Sequence, residues 1–147
     1  MSDDESTSDA ASAAQDWNQS IINEFRANDG AVGGPFKGAP ILLLHTNGAK
    51  SGRERVHPMM YLPGEGRVYV FASKAGAPTN PDWYHNLLAH PKVTVELGTE
   101  TFNAIASPLS GEDRERVYAE QVANFPNFAE YQSKTSRVIP VVELVRV

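Results

Sequence analysis

Between His45 and Pro58 the chain reads His-Thr-Asn-Gly-Ala-Lys-Ser-Gly-Arg-Glu-Arg-Val-His-Pro, its densest run of side chains able to grip an anion. Gly48 and Gly52 allow a tight turn whose successive N–H groups form a concavity attractive to negative charge. Lys50 adds a point charge. Arg53 and Arg55 lie two apart, so on an extended strand they project to one face, and each guanidinium can hold a phosphate through two parallel hydrogen bonds. A basic turn of this kind also suits plain solvated surface, and the segment alone leaves both open. It is not a Walker A loop, because the four-residue gap between glycines is missing. Nor is it a nucleophile elbow, since Ser51 does not stand in Gly-x-Ser-x-Gly.

Two further places could meet a ligand. Ser73-Lys74 ends a strand and feeds the loop Ala75-Gly-Ala-Pro78, and strand ends that open into loops are common contact points. Asn80 to Asn86 supplies a helix start, Trp83, Tyr84 and an amide; the aromatics fit a ligand platform or simply the core. The four histidines, His45, His57, His85 and His90, show no ligand spacing, so no metal site is expected. No carboxylate pair in an apolar setting suggests acid–base hydrolysis. The absence of cysteine removes thiolate nucleophiles, disulfides and cysteine metal sites together, and fits a reducing cytoplasm.

The elements that must carry these residues are mostly strands. Ile41–Thr46 is a compact apolar run, Arg53–Leu62 the returning strand, and Arg67–Lys74 alternates, with Val68, Val70 and Ala72 on one face and Tyr69, Phe71 and Ser73 on the other. Lys92–Leu97 and Thr101–Ala106 form a hairpin, and Val138–Val147 a final strand. Helices are expected at Trp17–Phe25, with Asp16 as cap, and at Asn80–Leu88, with Asn80 capping and Pro81 at the first helical position. Another opens at Ser110, which with Asp113 makes a variant of the capping box, and carries Val117, Tyr118, Val122 and Phe125 on one side; a short one covers Asn127–Ser136. Strands joined by hairpins, with no alternating βαβα order, predict a mainly β fold with inserted helices: a small antiparallel barrel.

The net charge of −5 is uneven. Five of the 18 acidic residues fall in the first sixteen positions, which hold no Lys or Arg, so the remaining 13 acids balance 13 bases. Residues 1–15 read as a disordered acidic leader and 16–147 as a single domain. A neutral body argues against nucleic-acid binding. No signal peptide and no span of roughly 20 apolar residues are visible. A cytoplasmic protein is expected, with the Trp17–Phe25 helix as the element that could touch the inner face of a membrane.

Four segments in order resemble the deazaflavin (F420)-dependent nitroreductases, also described as F420H2-dependent quinone reductases of actinobacteria. They are Leu43-Leu-His-Thr46 leading into Gly48–Arg55; Pro58-Met-Met-Tyr61; Ala72-Ser-Lys-Ala-Gly76; and Asn80-Pro-Asp-Trp-Tyr-His-Asn-Leu-Leu-Ala-His-Pro91. The third departs from the family pattern, with Ala75 where Gly is expected. The resemblance implies a split β-barrel similar to FMN-binding oxidases, and coenzyme F420, whose tail carries phosphate and several glutamates. By position, it implies that Lys50, Ser51, Arg53 and Arg55 hold the phosphate and tail, that Pro58, Tyr61, Ala72, Ser73 and Lys74 line the ring, and that Trp83 and Asn86 close the site. It implies an acceptor wall of Phe125, Phe128 and Tyr131, with Tyr131 and Ser73 as candidate catalytic residues. Phe128, where some members have Tyr, sets the nitroimidazole activity of those members apart. The function expected is hydride transfer from reduced F420 to a quinone-like or nitroaromatic acceptor. The alternatives are an FMN reductase or oxidase on the same barrel, a non-catalytic F420-binding protein, and a generic anion-binding module.

Overall fold

A computed structural model describes residues 17–34 and 37–147. The expected acidic leader and the Asp16 cap lie outside the described residues. Helix α1 covers residues 17–27. The strands are β1 (Ile41–Asn47), β2 (Glu54–Gly64), β3 (Arg67–Phe71), β4 (Lys92–Leu97), β5 (Glu100–Pro108) and β6 (Val141–Arg146). Helix α2 (Asp82–Ala89) lies between β3 and β4, and α3 (Gly111–Asn124) and α4 (Asn127–Ser133) between β5 and β6. The strands close into an antiparallel barrel in the order β1-β2-β3-β6-β5-β4, with β4 returning to β1 through Leu44 opposite Val95.

The alternation of each strand divides the apolar residues between the inside and the outside of the barrel. Leu42, Leu44, Val68, Val70, Ala72, Val93, Val95, Ala104, Ala106, Val142 and Leu144 fill one core, which α2 plugs with Trp83 and Leu87. The opposite faces of the same strands would meet water, and the helices cover them. Ile21, Ile22 and Phe25 of α1 pack on Ile41 and Leu43. Val117, Tyr118 and Phe128 of α3 and α4 pack on Leu62, Phe71 and Val141. Truncating a residue such as Leu44, which is fully buried, would cost roughly 2–5 kcal/mol.

Three local expectations are corrected. Strand β3 ends at Phe71, because Lys74 and Ala75 take left-handed backbone angles with φ of 47° and 54° that no strand accommodates. Helix α2 begins at Asp82, with Pro81 in the capping position, and the Asn80 side chain accepts a bond from Arg137 instead of capping. The Ser110 position caps α3 without a side-chain hydrogen bond.

Candidate functional site

A cleft of about 330 Å³ opens where β2, the segment after β3, and helices α1, α2 and α4 meet. Pro58, Ser73, Lys74 and Trp83 line it, with Phe128 and Tyr131 on the α4 side. Thus segments far apart in the chain, and six of the residues singled out from sequence, converge on one space. The ring of Tyr131 stands edge-on to that of Phe128, with centroids 5.1 Å apart, and its hydroxyl accepts a bond of 2.9 Å from Asn127 Nδ2. Its own proton therefore remains available to a molecule in the cleft.

The basic turn leads into β2, whose residues 57–60 line the cleft. Gly48 and Gly52 are bonded across it, Gly52 N–H to Gly48 O at 2.9 Å, with Gly52 at a φ of 71°. Ser51 Oγ accepts the Arg53 N–H at 3.2 Å, so this hydroxyl shapes the turn from within. Asn86, buried in α2, fixes the turn from below. Its Oδ1 accepts the Ala49 N–H at 3.0 Å and its Nδ2 donates to Thr46 Oγ1 at 3.2 Å. Lys50, Arg53 and Arg55 are exposed and form no ion pair among the described residues. Three cations thus share a braced turn with no ion-paired carboxylate among the described residues.

The other expected residues sit elsewhere. Ala72 is fully buried and Tyr61 packs against the barrel core, so both support the cleft from inside the barrel. Phe125 ends α3 and packs in the cluster beneath that helix, outside the cleft lining.

Sequence reasoning passed over His57, which also lines the cleft. Burial pushes its pKa down, the nearby carboxylate of Asp82 pulls it up, and the Arg55 charge lowers it further. A neutral imidazole results, and its Nε2 is buried without a partner among the described residues. Its position two residues after Arg55 on an alternating strand placed it on the same face as the arginines, which was the available signal. Met59, Met60, Asn18 and Ala75 complete much of the remaining surface.

The wall after β3 is held by Arg137. Its guanidinium donates to the carbonyls of Ala72, Ser73 and Ala77 at 3.0, 2.8 and 2.9 Å, and to Asn80 Oδ1 at 2.8 Å. Left-handed angles at Lys74 and Ala75 cost roughly 1–2 kcal/mol each, and such residues persist where their surroundings over-determine them. Gly76, with φ of 82°, brings this wall against α4: a Cβ there would lie 2.7 Å from the Tyr131 carbonyl oxygen. Only glycine permits that approach.

The model of the F420H(2)-dependent quinone reductase family matches residues 17–145. The chain belongs to that family. An F420H(2)-dependent quinone reductase of Mycobacterium tuberculosis strain H37Rv is 40% identical over 126 residues, 83% of this chain and 85% of the relative. A solved structure described as an F420-H2 dependent reductase is 42% identical, with a TM-score of 0.66, covering 71% of this chain and 93% of that one. A FAD-binding protein of Mesorhizobium loti, 12% identical with a TM-score of 0.51 over 75% of this chain and 83% of its own, shares the barrel fold alone. As a member of this family the chain is an oxidoreductase, with reduced coenzyme F420 as hydride donor and a quinone as acceptor. The residues present suit such a donor: the cations of the β1–β2 turn form no ion pair among the described residues, and β2, which carries Arg55, runs on into an apolar, aromatic-walled cleft. No helix among the described residues is long and apolar enough to cross a membrane.

Proposed function

We propose that the cleft bounded by β2, the 72–81 segment, α2 and α4 takes the deazaflavin ring and a flat acceptor, and that Lys50, Arg53 and Arg55 hold the anionic tail. The observation that carries this is that β2 joins an Asn86-braced turn, whose three cations form no ion pair among the described residues, to a cleft walled by Trp83, Phe128 and Tyr131. When bound, the reduced cofactor supplies the hydride, and the protein supplies position and electrostatics. Trp83 and Phe128, mostly packed in the core, exclude water from the cleft, and the half-buried Tyr131 ring beside them adds a flat apolar face. Stacking against such faces contributes roughly 0.5–1.5 kcal/mol per aromatic pair. The Tyr131 hydroxyl, oriented by Asn127, is placed to give its proton to the acceptor oxygen, and Ser73 offers a second hydroxyl in the cleft lining. His57, kept neutral, adds no positive charge there. An electron-poor flat molecule, quinone or nitroaromatic, fits these requirements.

The acceptor's route is also inferred. Asn18 of α1 borders the cleft while Trp17 beside it is 51% exposed, so a membrane-dissolved quinone would reach the site past this helix. Co-sedimentation with anionic vesicles should fall for Trp17→Ser; equal binding by both proteins would remove the membrane route.

The central test is anaerobic oxidation of F420H2 by the purified protein against a panel of quinones and nitroaromatics, followed by absorbance. Turnover with at least one quinone is expected, and titration with FMN should show weaker binding than F420. Tight cofactor binding without turnover for any acceptor would favour a carrier of the cofactor instead.

A further inference from the structure

Arg137 presents a charge and a geometry that the roles assigned so far leave unused. Its four hydrogen-bond partners are all neutral oxygens, and among the described residues it pairs with no carboxylate. Burial accordingly pushes its pKa down. A positive charge without a counter-ion therefore lies directly behind the cleft wall.

The hydrogen bonds also dictate which way the wall faces. In a trans peptide the C=O and the following N–H point in opposite directions. With the Ala72 and Ser73 carbonyls turned to Arg137, the N–H groups of Ser73 and Lys74 point away from it. Ser73 has right-handed helical angles (φ −73°, ψ −40°) and Lys74 left-handed ones (φ 47°). A right-then-left pair of this kind gathers three successive N–H groups, here those of residues 73, 74 and 75, into one concavity that accepts an anion. None of the three donates to an acceptor among the described residues, and all three residues line the cleft.

We propose that Arg137 is a positioning residue that builds this backbone receptor for the electron-rich oxygen edge of the cofactor ring, and that its uncompensated charge makes the receptor prefer the reduced form. Gain of a hydride adds one negative charge until a proton follows, and the dihydro ring is the more electron-rich even once protonated, so its carbonyl edge is the stronger hydrogen-bond acceptor. A fixed charge behind three aligned N–H groups therefore holds it more tightly. The inference rests on the ring occupying this cleft. Ala75 contributes as well: its left-handed φ of 54° is a conformation that alanine resists and glycine accepts. The side chain of Arg137 supplies the restraint that the backbone lacks at this position.

The test is the dissociation constant of oxidised and of reduced F420, each read by quenching of tryptophan fluorescence, for the full chain and for Arg137→Gln, Arg137→Lys and Arg137→Gln with Ala75→Gly. Arg137→Gln should weaken binding of the reduced form by about tenfold or more, the scale of a lost charge-assisted contact, and the oxidised form by less. Arg137→Lys keeps the charge but not the fork, so both forms should weaken while the preference for the reduced form survives. Adding Ala75→Gly to the glutamine variant should recover part of the affinity and none of the preference. Equal weakening of both forms in a cooperatively melting Arg137→Gln variant would make the residue merely structural and overturn the proposal, as would no change in either. Should the glutamine variant not fold, the lysine variant decides: loss of the preference, or unchanged binding, overturns it. If Trp83→Phe and Ser73→Ala leave binding intact while Arg55→Ala weakens it, the ring lies elsewhere: the cleft assignment fails and the role of Arg137 toward the ring falls with it, whereas impaired cleft variants beside an unselective Arg137→Gln overturn the role of Arg137 alone.

Discussion

Replacing Arg55 by alanine separates binding from folding more cleanly than other changes in the site. The side chain is exposed and makes no ion pair or side-chain hydrogen bond among the described residues, so stability should stay within about 0.5 kcal/mol on its removal. A unit charge 4 Å from an anion is worth about 1 kcal/mol in bulk water and about 4 kcal/mol near a protein surface. Exposure, and the survival of Lys50 and Arg53, favour the lower part of this range. A loss near 1.4 kcal/mol corresponds to about a tenfold rise in the dissociation constant of F420. Raising ionic strength should shrink the difference, because exposed charges are screened. The same variant has a second readout. His57 owes its depressed pKa first to burial, with Asp82 opposing and Arg55 assisting, so deleting Arg55 should move that pKa upward while burial keeps it below the ordinary value. Fluorescence quenching at low and high salt gives the first quantity and an NMR titration of the imidazole the second. Undiminished affinity at low salt in each of the alanine variants at 50, 53 and 55, with His57 shifted as expected, would refute the anion clamp while confirming the local geometry.

Other consequences are open to single measurements. Gly76→Ala would drive a Cβ into the Tyr131 carbonyl at a left-handed position, so the thermal midpoint should fall by the equivalent of about 2 kcal/mol or more; a midpoint within error of the parent would show that α4 is not packed as described. Tyr131→Phe removes a hydroxyl whose described partner is Asn127, so turnover with quinones should drop severalfold, roughly 0.5–1.5 kcal/mol, with F420 affinity and melting unchanged; early melting with intact activity would make Tyr131 structural. Glu96 is held below the usual carboxylate range by its hydrogen bond from Arg26, against burial, with His45 assisting. A depressed carboxyl pKa stabilises the fold above the unfolded value of 4.5 and ceases to do so as pH falls through the lower folded value, so amide protection of α1, which carries Arg26, should be lost in that acid window. Glu96→Gln should expose α1 amides already at neutral pH, and unaltered exchange would detach the ion pair from helix docking.

The barrel was legible because its signals are local. Val68, Val70 and Ala72 alternate with Tyr69 and Phe71, and the inner and outer faces they imply are those found. The apolar run of β1 and the turn residues around Gly48 likewise announce themselves within a few positions. The site was legible where cations and aromatics cluster in sequence, at Lys50–Arg55 and around Trp83. Arg137 was not legible, because the atoms it binds lie 57 to 65 positions earlier and nothing in Ser136-Arg137-Val138 marks it. Asn86 reads as a ligand contact by resemblance, yet its hydrogen bonds go to Thr46 and Ala49, a tertiary brace that periodicity cannot reveal. The left-handed Ala75 runs against intrinsic preference, so propensity points away from the conformation it adopts.

Strand β6 is inserted between β3 and β5, although it follows every other described strand, and Arg137 stands shortly before its start. During synthesis, the facing edges of β3 and β5 must wait unpaired until β6 has emerged, and unpaired edges invite association with other chains. The 72–80 segment likewise has no guanidinium to fold around before that moment. If the cofactor is held as proposed, loading must wait until Arg137 and β6 have emerged, and chains stalled before residue 137 should leave added F420 unbound while chains that contain β6 take it up.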